Sequence, residues 1–169
     1  MLAIGLGPGL GVAELVKRLP SGGGGVDPSA TMVEQARRRN LPAVERGQVT
    51  LVRSTADSIP WPDETFAGVL AVNCMQLWDP LDASVQEVVR TLAPAGRLVA
   101  ITHVWAIEKR SPPQQWVCVT SELLREAGFD DIAYRTASFR SGKGLVLRAE
   151  KHEAPPLQPE STLTTAPEL

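Results

Sequence analysis

The sequence predicts an α/β fold: an open, doubly wound, mostly parallel sheet with helices on both faces. Three observations carry this. The chain opens on a short apolar strand that runs into glycines at alternate positions, Gly5, Gly7 and Gly9. Segments of helical periodicity then alternate with short apolar runs. Residues 66–73 are almost continuously apolar, the pattern of a central parallel strand buried on both faces.

The first strand is expected at residues 2–5. Val12, Leu15, Val16 and Leu19 recur at helical spacing and predict the first helix. The second strand should end at Val26-Asp27. Glycines fill positions 22–25, so it is expected to be short or frayed, because glycine contributes no side chain to pack. Ser29 suits the N-cap of a second helix that turns Met32, Val33 and Ala36 inward. The run Arg37-Arg38-Arg39 fits that helix's solvated last turn, where cations suit the dipole.

Residues 48–53 alternate and read as the third strand, and 66–73 as the fourth. Val85, Val88, Val89 and Leu92 form another helical stripe. Residues 97–104 give the fifth strand. A helix is expected at 120–127, with Gly128 as its stop. Residues 131–139 and 144–151 are two strands close enough to pair as a hairpin. The folded domain is therefore expected at 1–151. Residues 152–169, with prolines at 155, 156, 159 and 167 and no apolar periodicity, are expected to be a disordered tail.

Composition narrows the function. The apolar fraction of 43% supports a substantial core, and the net charge of −2 with no basic block speaks against nucleic acid as a partner. No apolar run is long enough to span a bilayer. The N-terminus lacks the charged region of a signal peptide. Cys74 and Cys118 have neither metal-ligand nor disulfide spacing, so no metal site is expected and a reducing, cytoplasmic setting is the simplest reading.

The opening motif reads as a nucleoside-cofactor site. Glycines let the backbone turn sharply and approach a ligand, and the helix after them presents free N–H groups. Asp27, at the tip of the next strand, can accept hydrogen bonds from both ribose hydroxyls. A dinucleotide fingerprint has the spacing G-x-G-x-x-G. Here the glycines alternate and Leu10 stands where the third dinucleotide glycine belongs, which disfavours a nicotinamide-dependent oxidoreductase.

Further segments extend the pattern: Ala56-Asp57-Ser58-Ile59-Pro60 before the fourth strand, Val72-Asn73 at its end, then Trp78-Asp79-Pro80, and Leu92-Ala93-Pro94-Ala95-Gly96. Together with the glycine turn, these resemble the class I, Rossmann-like S-adenosylmethionine-dependent methyltransferases, densely over residues 2–104. The resemblance implies a sheet of about seven strands with the last antiparallel. It implies S-adenosylmethionine as cofactor, with Gly5, Gly7 and Gly9 along its methionine part and Asp27 on the ribose. Met32 would lie against the adenine face, Ala56 and Asp57 at the adenine edge, and Asn73 beside the amino-acid end and the substrate.

Activity by resemblance is methyl transfer to a small-molecule acceptor. Methyl transfer from a sulfonium needs proximity more than acid–base help, so no catalytic dyad is required, and the sequence identifies none. The family also has one or two helices before the first strand, and an acid where Ala3 stands. The chain starts inside that strand and is expected to be N-terminally truncated relative to the family, with an apolar sheet front that favours self-association. The alternative is a truncated or degenerate cofactor-fold domain without activity.

Overall fold

The computed structural model describes residues 1–18 and 22–153. Its strands are β1 (Leu2–Ile4), β2 (Gly23–Asp27), β3 (Val49–Arg53), β4 (Phe66–Val72), β5 (Leu92–His103), β6 (Phe129–Phe139) and β7 (Gly142–Lys151). Its helices are α1 (Leu10–Arg18), α2 (Ala30–Arg39), α3 (Leu41–Glu45), α4 (Leu81–Thr91), α5 (Val104–Glu108) and α6 (Pro113–Glu126). The strands form one seven-stranded sheet in the order β3-β2-β1-β4-β5-β7-β6. β1 to β5 are parallel, and β7 runs antiparallel to both its neighbours.

Side-chain alternation along the strands splits the core into two layers. Leu2 and Ile4 face the layer formed with Val85 and Val88 of α4 and Leu124 of α6. Ala3 faces the other, with Val12 of α1, Val33 and Ala36 of α2, and Leu51 of β3. Each such leucine or valine contributes about 1.5–3 kcal/mol by leaving water. β4 is less enclosed than its apolar run predicts: Leu70 is half-buried and Val72 is 40% exposed. Among the described residues no helix covers that face of β4, β5 and β7, and Leu10 beside it is 65% exposed.

The glycine-rich strand corrects the expectation of fraying. β2 runs five residues and is paired on both edges. Bulky neighbours occupy the space its side chains would take. A Cβ on Gly24 would lie 2.9 Å from both Phe66 and Trp61, and one on Gly25 2.9 Å from both Leu51 and Leu6. The strand is buried because its neighbours cover it.

Other differences are local. α6 begins at Pro113, seven residues before the expected start, and Trp116, Thr120 and Leu124 form its buried stripe. Gly128, at φ +97°, ends it as expected. The short helices α3 and α5 fall between the expected elements. β5 starts at Leu92, before the Pro94-Ala95-Gly96 turn, and its register with β4 shifts there. Arg37 and Arg39 do more than face water: they donate to the carbonyls of Leu51 and Pro8, both at 2.7 Å, tying α2 to β3 and to the glycine turn. Leu19, and residues 154–169 of the expected tail, lie outside the described residues. At the tail's start, the His152 amide donates to the Gly128 carbonyl at 2.9 Å.

Candidate active site

The carboxyl ends of β1 to β4 open into a cleft of about 410 Å³, within the range of small-molecule sites. The glycine turn forms its floor. Gly5 has φ +64°, and a Cβ there would lie 2.6 Å from the Cys74 Cβ. Gly7 has φ +51°, and a Cβ there would meet open space. The first glycine is therefore required by a close approach, and the second leaves backbone facing the cleft.

Asp27 joins the turn to α2. It is 7% exposed. Its Oδ2 accepts the Gly7 amide at 2.9 Å and its Oδ1 the Ser29 amide at 2.9 Å. A carboxylate has about four acceptor positions, so half its capacity remains for a ligand. Ser29 caps α2 as expected, accepting the Met32 amide at 3.3 Å.

The other wall is the segment from Ser54 to Asp57. An arginine from α4 holds the chain that follows. Arg90 donates to Glu87 at 2.7 and 2.9 Å, to Asp63 at 2.8 Å, and to the carbonyls of Trp61 at 2.8 Å and Ile59 at 2.9 Å. All five guanidinium N–H groups are thus used. Hydrogen bonding to Arg90 holds the Glu87 carboxyl below its usual range, and Glu87 raises the Arg90 guanidinium in turn. Glu87 also accepts the Ile59 amide at 2.9 Å.

Gly5, Gly7, Asp27, Ala56, Asp57 and Asn73 all line the cleft, although they come from four separate stretches of sequence. Two predicted residues do not. Gly9, at φ +83°, packs on α2, where a Cβ would lie 2.7 Å from the Ala36 Cα; its carbonyl accepts the Asn40 amide at 3.1 Å. It is a helix-packing glycine. Met32 is half-buried in the first turn of α2, outside the cleft lining. Cys74, which does line the cleft, donates its thiol to the Ile4 carbonyl at 3.1 Å. Burial pushes that thiol up to about 12, so it stays protonated at neutral pH.

A second cleft, of about 590 Å³, adjoins the first and shares Asn73 and Leu77 with it. Asn73 has φ +54°, a conformation asparagine tolerates better than most residues. Its Oδ1 accepts the His103 amide at 3.1 Å and lies 2.8 Å from His103 Nδ1. His103 Nε2 lies 2.6 Å from the Ser141 Oγ. From sequence, His103 can be read either as a base or as a strand-end residue without a role, because its partners lie 30 and 38 residues away. At the opposite ends of the strands, a crevice beside Met1 and Gly23 holds only about 10 Å³, room for at most one water.

Among the described residues no group of three or more His, Cys, Asp or Glu side chains is placed to hold a metal ion. None of the described helices is long and apolar enough to cross a membrane.

Comparison with known proteins agrees with this geometry. The methyltransferase domain family matches residues 2–100, more than half of the chain. The chain is 26% identical over 155 residues to an uncharacterized methyltransferase, YdaC, of Bacillus subtilis, covering 89% of this chain and 82% of that one. The fold resembles that of a SAM-dependent methyltransferase from Aquifex aeolicus, with TM-score 0.70, 19% identity and coverage of 88% and 80% of the two chains. It also resembles the [4+2]-cyclase SpnF, with TM-score 0.74, 16% identity and coverage of 90% and 75%. The chain belongs to the methyltransferase domain family, and its fold is that of S-adenosylmethionine-dependent methyltransferases of known structure.

Proposed function

We propose that this chain transfers a methyl group from S-adenosylmethionine, held in the cleft of Gly7 and Asp27, to a small-molecule acceptor in the adjoining cleft. The observation that carries the reading is the shared wall: Asn73 and Leu77 line both clefts, so ligands in the two would meet there. Bound, the cofactor supplies an activated methyl group. The protein's own task is then to hold the acceptor in line and exclude water.

The residues fit the cofactor in chemistry as well as in space. Asp27 has two outward acceptor positions for ribose hydroxyls after its two inward bonds. Gly7 lets the backbone lie close to the ligand. Ala56 and Asp57 line the same cleft, which supports the adenine edge resting against them. The free thiols of Cys74 and Cys118 support a reducing, cytoplasmic setting. Leu10 and Val72, exposed beside the uncovered sheet face, support association of chains there, which sedimentation would show as a dimer and a strictly monomeric boundary would dismiss.

Thermal unfolding with added ligands tests the cofactor assignment. S-adenosylhomocysteine should raise the melting temperature by mass action, and NAD should not. A shift with NAD alone overturns the reading. Two observations favour the second reading, a domain that has lost activity: Ala3, where the family has an acid, is buried in the apolar layer, and among the described residues no helix covers the β4, β5 and β7 part of one sheet face. Homocysteine-product binding with no turnover on any acceptor would select it.

A further inference from the structure

We propose that the cleft beside His103 takes a hydroxylated aromatic carboxylate, and that His103 Nε2 accepts the proton of the hydroxyl to be methylated. This rests on the methyltransferase reading above.

The histidine's tautomer follows from its neighbours. The backbone amide of His103 can only donate, so the Asn73 atom it meets at 3.1 Å is the amide oxygen. That same oxygen lies 2.8 Å from Nδ1, so Nδ1 carries the ring proton. In the neutral ring, Nε2 is then the basic nitrogen, and the Ser141 hydroxyl donates to it at 2.6 Å. Asn73 is thus a positioning residue. Ser141 sits in the two-residue turn between Phe139 and Gly142, at the tip of the β6–β7 hairpin, and occupies the place an acceptor hydroxyl would take.

The cleft's walls select the ligand. Trp105, 51% exposed, lines the cleft with its ring centroid 5.8 Å from that of the imidazole; the Phe139 ring, 39% exposed, lies 5.8 Å from the imidazole just outside the lining. Exposed rings flanking a polar group suit a planar apolar ligand. Lys109, 4.7 Å from the Trp105 ring centre, and Arg110 also line the cleft, and among the described residues no carboxylate does. Arg140 and Lys143 flank Ser141 in the hairpin, while Asp27 and Asp57 line the other cleft. Among the described residues the charged side chains that line this cleft are therefore cationic, which favours an anionic acceptor.

The step balances without further reagents. The acceptor's O–H proton passes to Nε2. The oxygen forms its bond to the methyl carbon as the sulfur–carbon bond breaks, and that electron pair stays on sulfur. The imidazolium then returns the proton to water.

The test uses the whole chain with para-hydroxycinnamate, its methyl ester and cinnamate. In the presence of S-adenosylhomocysteine, the acid should bind about tenfold more tightly than the ester, a difference of about 1.4 kcal/mol, and Lys109→Met with Arg110→Met should remove the preference. Long-range proton–nitrogen NMR should show His103 protonated on Nδ1. With the methyl donor, para-hydroxycinnamate should be turned over and cinnamate should not. His103→Gln should keep S-adenosylhomocysteine affinity while losing about a hundredfold in kcat. Loss of S-adenosylhomocysteine binding by the wild-type chain refutes the underlying reading instead. With that binding intact, equal affinity for acid and ester, or no turnover of the acid, overturns the acceptor class. An Nε2-protonated ring, or a His103→Gln rate within about threefold of wild type, overturns the role of the histidine.

Discussion

Replacing Asp27 with asparagine changes almost no volume and tests the centre of the cofactor cleft. Each carboxylate oxygen accepts one backbone amide, from Gly7 and from Ser29, both at 2.9 Å. An asparagine side chain has one oxygen and one NH2. Whichever way it turns, one of the two amides faces a donor. The variant loses one charge-assisted bond, worth about 1.5–3 kcal/mol, and strands a part-buried N–H that costs about 1–3 kcal/mol more. Some of that N–H's cost is recovered by water entering the open cleft. We expect the unliganded chain to lose about 2–4 kcal/mol in urea denaturation, with an unchanged slope. S-adenosylhomocysteine affinity should fall as well, because the ribose loses its charged acceptor. Asp27 thus holds the loop whether or not ligand is present. A stability change below about 1 kcal/mol would refute this, and would mean that the Gly7 turn keeps its shape without the carboxylate.

Arg90→Gln should destabilise the chain by about 2–3 kcal/mol, since it removes a five-bonded cation that is 31% exposed and so partly screened; chemical denaturation measures this. Gly5→Ala should cost more stability than Gly7→Ala. Both strain a left-handed backbone by about 1–2 kcal/mol, but only Gly5 meets Cys74, and calorimetry of the two variants compares them. Near pH 8 only about one Cys74 in ten thousand is ionised, so iodoacetamide with peptide mapping should label exposed Cys118 first. The raised Cys74 value also sets a pH window. Its contribution is intact below the ordinary thiol value of 9.0 and is lost as pH rises toward about 12, at about 1.4 kcal/mol per pH unit; Cys74→Ala should lack that slope.

Local chemistry made much of this legible. The alternating glycines are one local pattern and Asp27 with the Ser29 cap another, and each stands where the sequence put it. Ala56, Asp57 and Asn73 could be named only through the family resemblance, and all three line the cleft. What escaped depends on distant partners. Gly9 reads as part of the ligand turn, yet its role is set by Ala36 across a helix interface. His103 reads as a base or as an idle strand-end residue, and the choice depends on Asn73 and a hairpin tip that only the fold brings beside it. The start of α6 was hidden because Pro112-Pro113 reads as a break, whereas proline suits the first turn of a helix.

The bare backbone of β2 has a consequence for how this sequence can change over time. Trp61 and Phe66 fill the volume above Gly24, and Leu51 and Leu6 that beside Gly25. A side chain gained on the strand first would overlap these neighbours, at a cost of about 1–3 kcal/mol or more. Shrinking a neighbour first would open a void that the strand could later fill, at a cost of several kcal/mol in between. Either route passes through a less stable intermediate, so the two positions should substitute together or not at all. Related chains with valine or isoleucine at position 24 should therefore have smaller residues at 61 or 66, and the order in which those changes were acquired would have mattered.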